Sequence, residues 1–158
     1  MRILGIDPGY ATTGWGVIDA AGNQLTAVAY GAITTPADQP FAERLAAVES
    51  ALMAILATHQ PAVLAIEELF FAQNTTTALN VAHARGVILL VAAKHGLPIR
   101  EYKPTQVKQA ITGYGHAGKQ QMQRMIQTIL QLPTIPKPDD VADALAVAIA
   151  GIQPPPVH

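Results

Sequence analysis

At 158 residues the chain has the length of one domain and enough mass to bury a sizeable core. Half of its residues are apolar, 13% are charged and none is cysteine, which excludes disulfides and thiolate metal centres. A net charge of −1 argues at first sight against a polyanionic partner. No uninterrupted apolar run reaches about 18 residues, which argues against a membrane span. Met1-Arg-Ile-Leu-Gly5 opens directly on a strand pattern with no signal peptide, as expected of a cytoplasmic protein.

Residues 2–6 form a short apolar run with β-branched members, stopped by Asp7-Pro-Gly9. Runs at 13–18 and 25–33 follow, separated by the turn-rich Asp19-Ala-Ala-Gly-Asn23. Such short connections predict an antiparallel meander of three strands. The period then changes to 3.6. Phe41, Leu45, Val48, Leu52 and Ile55 share one helix face, after the start signals Asp38 and Pro40 and before His59-Gln-Pro61. The wholly apolar run 63–66 leads into Glu67 and predicts a central strand parallel to the first. Asn74 is positioned to cap a helix running to Lys94 and stopping at Gly96. That helix is apolar almost all round, interrupted by Asn80, His83 and Arg85. One face can cover the sheet, and the other calls for a second copy of the chain, a homodimer. Residues 97–102 predict a fifth strand, and Thr105 is the expected cap of a short helix ending at Gly113. Beyond a glycine-flanked loop, 119–132 reads as an amphipathic helix with Met122, Met125, Ile126 and Ile129 inward. Pro133, Pro136 and Pro138 stiffen the approach to a last helix over 139–152. The expected organisation is one α/β domain over 1–152 with a Pro-rich tail over 153–158.

Four carboxylates stand out against this frame. Asp7 and Glu67 end two strands expected to lie side by side, where parallel sheets place their sites. Asp140 and Asp143 are one helical turn apart, with Val141, Leu145, Ala148 and Ile152 expected to anchor the opposite side of the helix. Oxygen ligands converging in this way suit two Mg²⁺ or Mn²⁺ ions beside a phosphodiester, whose in-line hydrolysis needs an activated water and a stabilised leaving oxygen. Singly, each acid has a plainer reading: Asp7 as a turn residue, Glu67 as a solvated strand end, Asp139, Asp140 and Asp143 as acids favoured near a helix N-terminus. Alternation along the strand separates Glu68 from Glu67, and Asp139 is explained by its place at the helix start. The charge distribution supports the joint reading. Between Lys94 and Lys137 seven basic residues stand against one acid, Glu101. Lys119, after the loop, and Lys108, on the preceding helix, can each be an exposed lysine or a group that reaches a phosphate. Phe70 and Phe71, beside the polar stretch from Gln73, are aromatics able to wedge against unpaired bases.

The stretches Gly5-Ile-Asp-Pro-Gly9, Thr13-Gly14, Ala65-Ile-Glu67, Ala84-Arg-Gly86, Gln106-Val-Lys-Gln109 and Asp140-Val-Ala-Asp-Ala-Leu-Ala146, in that order and spacing, resemble the RuvC family of Holliday-junction resolvases. The resemblance covers nearly the whole chain. It implies an RNase H-like fold with a five-stranded mixed sheet, three strands antiparallel and two parallel, and helices on both faces. It further implies Asp7, Glu67, Asp140 and Asp143 as the catalytic and metal-binding tetrad. Lys108 and Lys119 would act at the cleaved strand, Lys119 in catalysis as well, and Phe70 at the bases of the crossover. The implied partners are four-way junction DNA, a second copy of the chain and a branch-migration motor, with no membrane. Two other readings start from the same residues. An RNase H-like nuclease for RNA or simple duplex would use the same tetrad. The glycine-flanked Asp7 with Thr12 and Thr13 is also similar to the phosphate loop of actin-like ATPases, which need two such domains.

Overall fold

The computed structural model describes residues 1–69 and 75–156. Five strands, β1 (Arg2–Asp7), β2 (Thr12–Ala21), β3 (Gln24–Thr34), β4 (Val63–Glu67) and β5 (Ile99–Tyr102), form one sheet in the order β3-β2-β1-β4-β5. The first three pair antiparallel, while β1, β4 and β5 run parallel, as the sequence predicts. The helices are α1 (Phe41–His59), α2 (Thr75–Lys94), α3 (Pro104–Thr112), α4 (Lys119–Ile129) and α5 (Asp139–Ala150).

Strand alternation divides the interior into two layers. Leu4, Ile6, Val17, Leu64 and Ile66 face α1 and α2, where Val48, Leu52, Ile88 and Val91 complete one core. Ile3, Ile18, Val63 and Ala65 face α5, which is itself covered by Val107 and Ile111 of α3 and Met122 and Ile126 of α4. From Val141 to Ala150 every α5 residue except Asp143 is buried. The acidic side of α5 is kept at Asp140 and Asp143, while the anchoring side expected of the helix widens to nearly all of its remaining surface. The reason is its place between the sheet and a further helical layer.

Helix α5 reaches the sheet because the sheet is notched. A Cβ on Gly5 would lie 2.1 Å from the Ala144 carbonyl oxygen, and one on Gly14 would lie 1.9 Å from that of Asp140. On Gly16 it would meet Leu145 Cδ2 at 2.5 Å. Real side chains cannot occupy such positions, so the centre of β1 and β2 is glycine in order to admit a helix backbone. The small Ala144 and Ala148 on α5 complete the fit.

Two local expectations are corrected. Helix α3 is capped not by Thr105 but around Lys103, whose backbone N–H donates to Gln106 Oε1 at 2.7 Å, with Pro104 in the first turn. Proline there needs no hydrogen-bond partner for its nitrogen. Helix α4 ends at Ile129 rather than 132, and Gln131 turns the chain with a φ of 51°. The expected cap at Asn74 lies outside the described residues. Apolar run length also passed over α2: over Thr76–Lys94 its mean hydropathy of 1.4 makes it long and apolar enough to cross a membrane by composition. It instead lays Ala84, Ile88, Val91 and Ala92 on the sheet and α1, leaving Leu79 and Leu90 each 54% exposed.

Replacing Gly14 by alanine should cost about 1–3 kcal/mol of unfolding free energy through overpacking. It should also displace the first turn of α5. A urea melt measures the first effect, and shifts of the backbone amide resonances of Asp139–Asp143 measure the second.

Candidate active site

The same alternation that builds the cores aims the first two acids. Ile3 and Gly5 point toward α5, so Asp7 does; Val63 and Ala65 point toward α5, so Glu67 does. The parallel register, which pairs Ile6 with Ile66, brings Asp7 and Glu67 abreast at the C-terminal edge of the sheet. Helix α5, seated on Gly14 through the backbone of Asp140, brings the other pair to the same edge. Asp7 and Asp140 share a side-chain hydrogen bond.

A cleft of about 330 Å³ opens over these groups. Asp7, Glu67 and Asp143 line it, Val107, Met122 and Ala146 give it an apolar floor, and Lys108 and Lys119 stand at its sides. Burial there, followed by the negative charges of Asp143, Asp140 and Glu67, pushes the Asp7 carboxyl up to about 8. Burial also raises Glu67, where Asp143 repels and Lys108 attracts. Asp143 rises for the same first reason, with Lys119 opposing the shift. Burial first, and the neighbouring negative charges second, leave Asp7 holding a proton near neutrality.

Divalent cations fit this site by chemistry. The donors are all hard oxygens, and a cation would supply the charge that a proton on Asp7 now supplies. Among the described residues no group of three or more His, Cys, Asp or Glu is gathered closely enough to form a finished cage. Mg²⁺ seldom uses such cages, relying on one or two carboxylates together with water and substrate phosphate.

Of the expected site residues, the structure thus brings together Asp7, Glu67, Asp140, Asp143, Lys108 and Lys119. Phe70 lies outside the described residues. Glu68 lines a neighbouring cleft of about 210 Å³ with Pro8 and Arg85.

Asp139 stands in the first turn of α5 as expected, and it has partners that the sequence does not show. Pro138 is the cap residue of α5 and the cap makes no side-chain hydrogen bond. Asp139 instead pairs with Lys119 at 2.8 Å and Lys137 at 3.2 Å, and accepts from Gln123 Nε2 at 3.2 Å. These cations hold its carboxyl down at about 2, Lys119 first. Lys119 is thereby tethered at the lip of the cleft by the residue next to the α5 acids. The sequence shows Asp139 and Lys119 plainly, but 20 positions apart on two helices, with nothing in the spacing to pair them. Arg85 was visible as a charge in an apolar helix, with no sign of what it would touch.

Residues 3–151 match the family model described as crossover junction endodeoxyribonuclease RuvC. A protein of that name from Heliobacterium modesticaldum is 60% identical over 149 residues, which is 94% of this chain and 92% of the relative. Among solved structures, Thermus thermophilus RuvC superposes with a TM-score of 0.88 at 35% identity, covering 95% of this chain and 92% of that one. T. thermophilus RuvC in complex with Holliday junction substrate gives 0.90 at 34% identity with the same coverage.

The Asp7 shift sets a pH-dependent expectation for the metal-free protein. Its folded pKa of about 8 exceeds the ordinary 3.8, so below about 4 the group favours neither state. As pH rises toward 8 the unfolded chain loses this proton while the folded one keeps it, and stability falls. Asp7→Asn should therefore match wild type near pH 4 and exceed it by a few kcal/mol near pH 8, read from thermal melts in chelator. A large loss at every pH would make Asp7 a structural residue.

Proposed function

The chain belongs to the RuvC family of crossover junction endodeoxyribonucleases, and on that premise we propose that it resolves four-way DNA junctions by metal-dependent nicking at the Asp7, Glu67, Asp140 and Asp143 site. The observation that carries this reading is the convergence of Asp7, Glu67 and Asp143 from β1, β4 and α5 on one cleft, with Asp140 beside Asp7 and lysines at the sides. Mg²⁺ or Mn²⁺, two per site, would be held by Asp7, Glu67, Asp140 and Asp143. What such ions supply is an activated water and counter-charge for the departing oxygen.

The protein's own groups do the rest. Lys119, fixed by Asp139, presents an ammonium at the lip, where it can still give two of its three N–H donors to a phosphate. Lys108 offers a second cation on the opposite helix, and both favour charge developing on phosphorus oxygens. Val107, Met122 and Ala146 limit water beneath the reacting phosphate and strengthen these attractions. Phe70, on the chain just past Glu67, is proposed to act on bases at the crossover.

Symmetric nicking of two strands needs two sites, and the outward stripe of α2 supports a homodimer. Leu79, His83, Gly86 and Leu90 recur at spacings of four, three and four and are all exposed. A hydrophobic stripe with a glycine near its middle suits close packing against its own copy. The reading places the protein in the cytoplasm, with the chromosome and a branch-migration motor as its setting.

Labelled four-way junction, linear duplex and RNA–DNA hybrid, each incubated with Mg²⁺ and with chelator, test the substrate. Paired nicks in the junction alone, dependent on metal, are expected; preferential cleavage of the hybrid would move the protein to the RNase H-like alternative. Asp7→Asn should reduce nicking by more than about 10³-fold while junction binding persists. Leu90→Glu should shift the sedimenting species toward monomer and convert paired nicks into unpaired ones.

A further inference from the structure

Parallel pairing of β1 with β4 alternates the donors that answer β4 carbonyls. With Ile3 opposite Val63 and Gly5 opposite Ala65, the β1 nitrogen that falls due to meet the Glu67 carbonyl is that of Pro8. Proline has no N–H. The last carbonyl of β4 is thus abandoned by its ladder at the residue that carries a candidate metal ligand. On the other side of β4 the Glu68 N–H still donates to the Tyr102 carbonyl at 2.8 Å, so the strand end is held toward β5 but not toward β1.

Arg85 supplies the missing donor. From the middle of α2 its Nε donates to the Glu67 carbonyl at 3.2 Å, while Nη2 pairs with the Glu101 carboxylate on β5. The side chain is 15% exposed, so the guanidinium is largely withdrawn from water and its geometry is confined by packing. Beneath it Ala84 and Ile88 fix α2 on the sheet. Arg85 therefore joins α2, the end of β4 and β5 at one point. It reaches Glu67 through the backbone, whereas the charged groups that move the Glu67 carboxyl are Asp143 and Lys108.

We propose that Arg85 is a positioning residue for the metal site: it replaces the donor that Pro8 cannot give and so fixes the direction in which Glu67 presents its carboxylate. Glu101 in turn holds Arg85. The requirement comes from the Asp7-Pro8 pairing itself. The proline that turns the chain after Asp7 removes a backbone bond from the neighbouring strand, and a side chain from α2 restores it. A free Glu67 carbonyl in this half-buried place would draw the strand end toward water and carry the carboxylate with it.

The inference rests on Glu67 being a metal ligand, and Glu67→Gln separates that premise from the proposal. Mn²⁺ is titrated into wild type, Arg85→Met, Arg85→Lys, Glu101→Gln and the Arg85→Met/Glu101→Gln pair. Thermal stabilisation by the ion and nicking are both followed, with junction binding measured in chelator. Arg85→Met is expected to raise the Mn²⁺ concentration for half-maximal stabilisation by roughly 10–100-fold, as loss of a group orienting a ligand does. Glu101→Gln should give a smaller shift in the same direction, and the pair should be no worse than Arg85→Met. Junction binding in chelator should stay within about twofold of wild type. Loss of junction binding with an unchanged Mn²⁺ response would overturn the proposal and make Arg85 a phosphate contact; Glu101→Gln would then tighten binding by removing a competing anion. If Arg85→Met does not fold, Arg85→Lys and Glu101→Gln decide by the same two readouts. An unaltered Mn²⁺ response in Glu67→Gln would sink the premise, whatever Arg85 does.

Discussion

The contact on which everything else depends is that of α5 with the glycine-notched middle of β1 and β2. An ordinary helix stands off a sheet by the length of two side chains. Here Gly5, Gly14 and Gly16 remove one of those layers, and the backbone of α5 comes down onto the sheet. Two consequences follow at once. Asp140 and Asp143 are lowered to the level of Asp7 and Glu67 instead of projecting above them. The remaining apolar surface of α5 must then be covered from outside, which α3 and α4 do with Val107, Ile111, Met122 and Ile126. Those same two helices bring Lys108 and Lys119 to the cleft.

The site so assembled is out of electrostatic balance by construction. Three carboxylates are raised by burial and by one another, and Asp7 is shifted far enough to hold a proton near neutrality. Folding energy from the surrounding core maintains this arrangement against its own repulsion. Such stored repulsion favours cations and so serves a metal-dependent phosphodiesterase. The one acid in the neighbourhood with the opposite character is Asp139, whose carboxyl is held low by Lys119 and Lys137. Adjacent aspartates in the first turn of α5 thus take different parts: Asp139 pairs with Lys119 and Lys137, and Asp140 stands beside Asp7 among the acids.

The other face of the sheet has a different logic. There α1 and α2 pack on Leu4, Ile6, Leu64 and Ile66, and α2 turns a second apolar stripe outward. Between that helix and the site stands Arg85. It ties α2 to the end of the strand that bears Glu67.

How much of this was legible beforehand depended on whether the controlling interaction was local. The antiparallel run of β1 to β3 and the parallel placing of β4 follow from period-two alternation, short turns and apolar run length. Each of these is written along a few neighbouring residues. The acids were legible as a set because an α/β sheet brings its strand ends to one edge. What the sequence could not express were pairings between distant backbones and side chains. Thr105 reads as a cap until Gln106 is seen folding back onto Lys103. Asp139 reads as a helix-start acid, which it is, but nothing in the sequence shows Lys119, on another helix, 2.8 Å away. Arg85 reads as an interruption of an apolar helix until the Glu67 carbonyl is found without a β1 partner. The amino-acid order by itself determined which groups could do the chemistry and which way each strand would point them. Only the tertiary structure decided which charges neutralise one another, because the energy of a charge or a carbonyl depends on what stands a few ångströms from it in space.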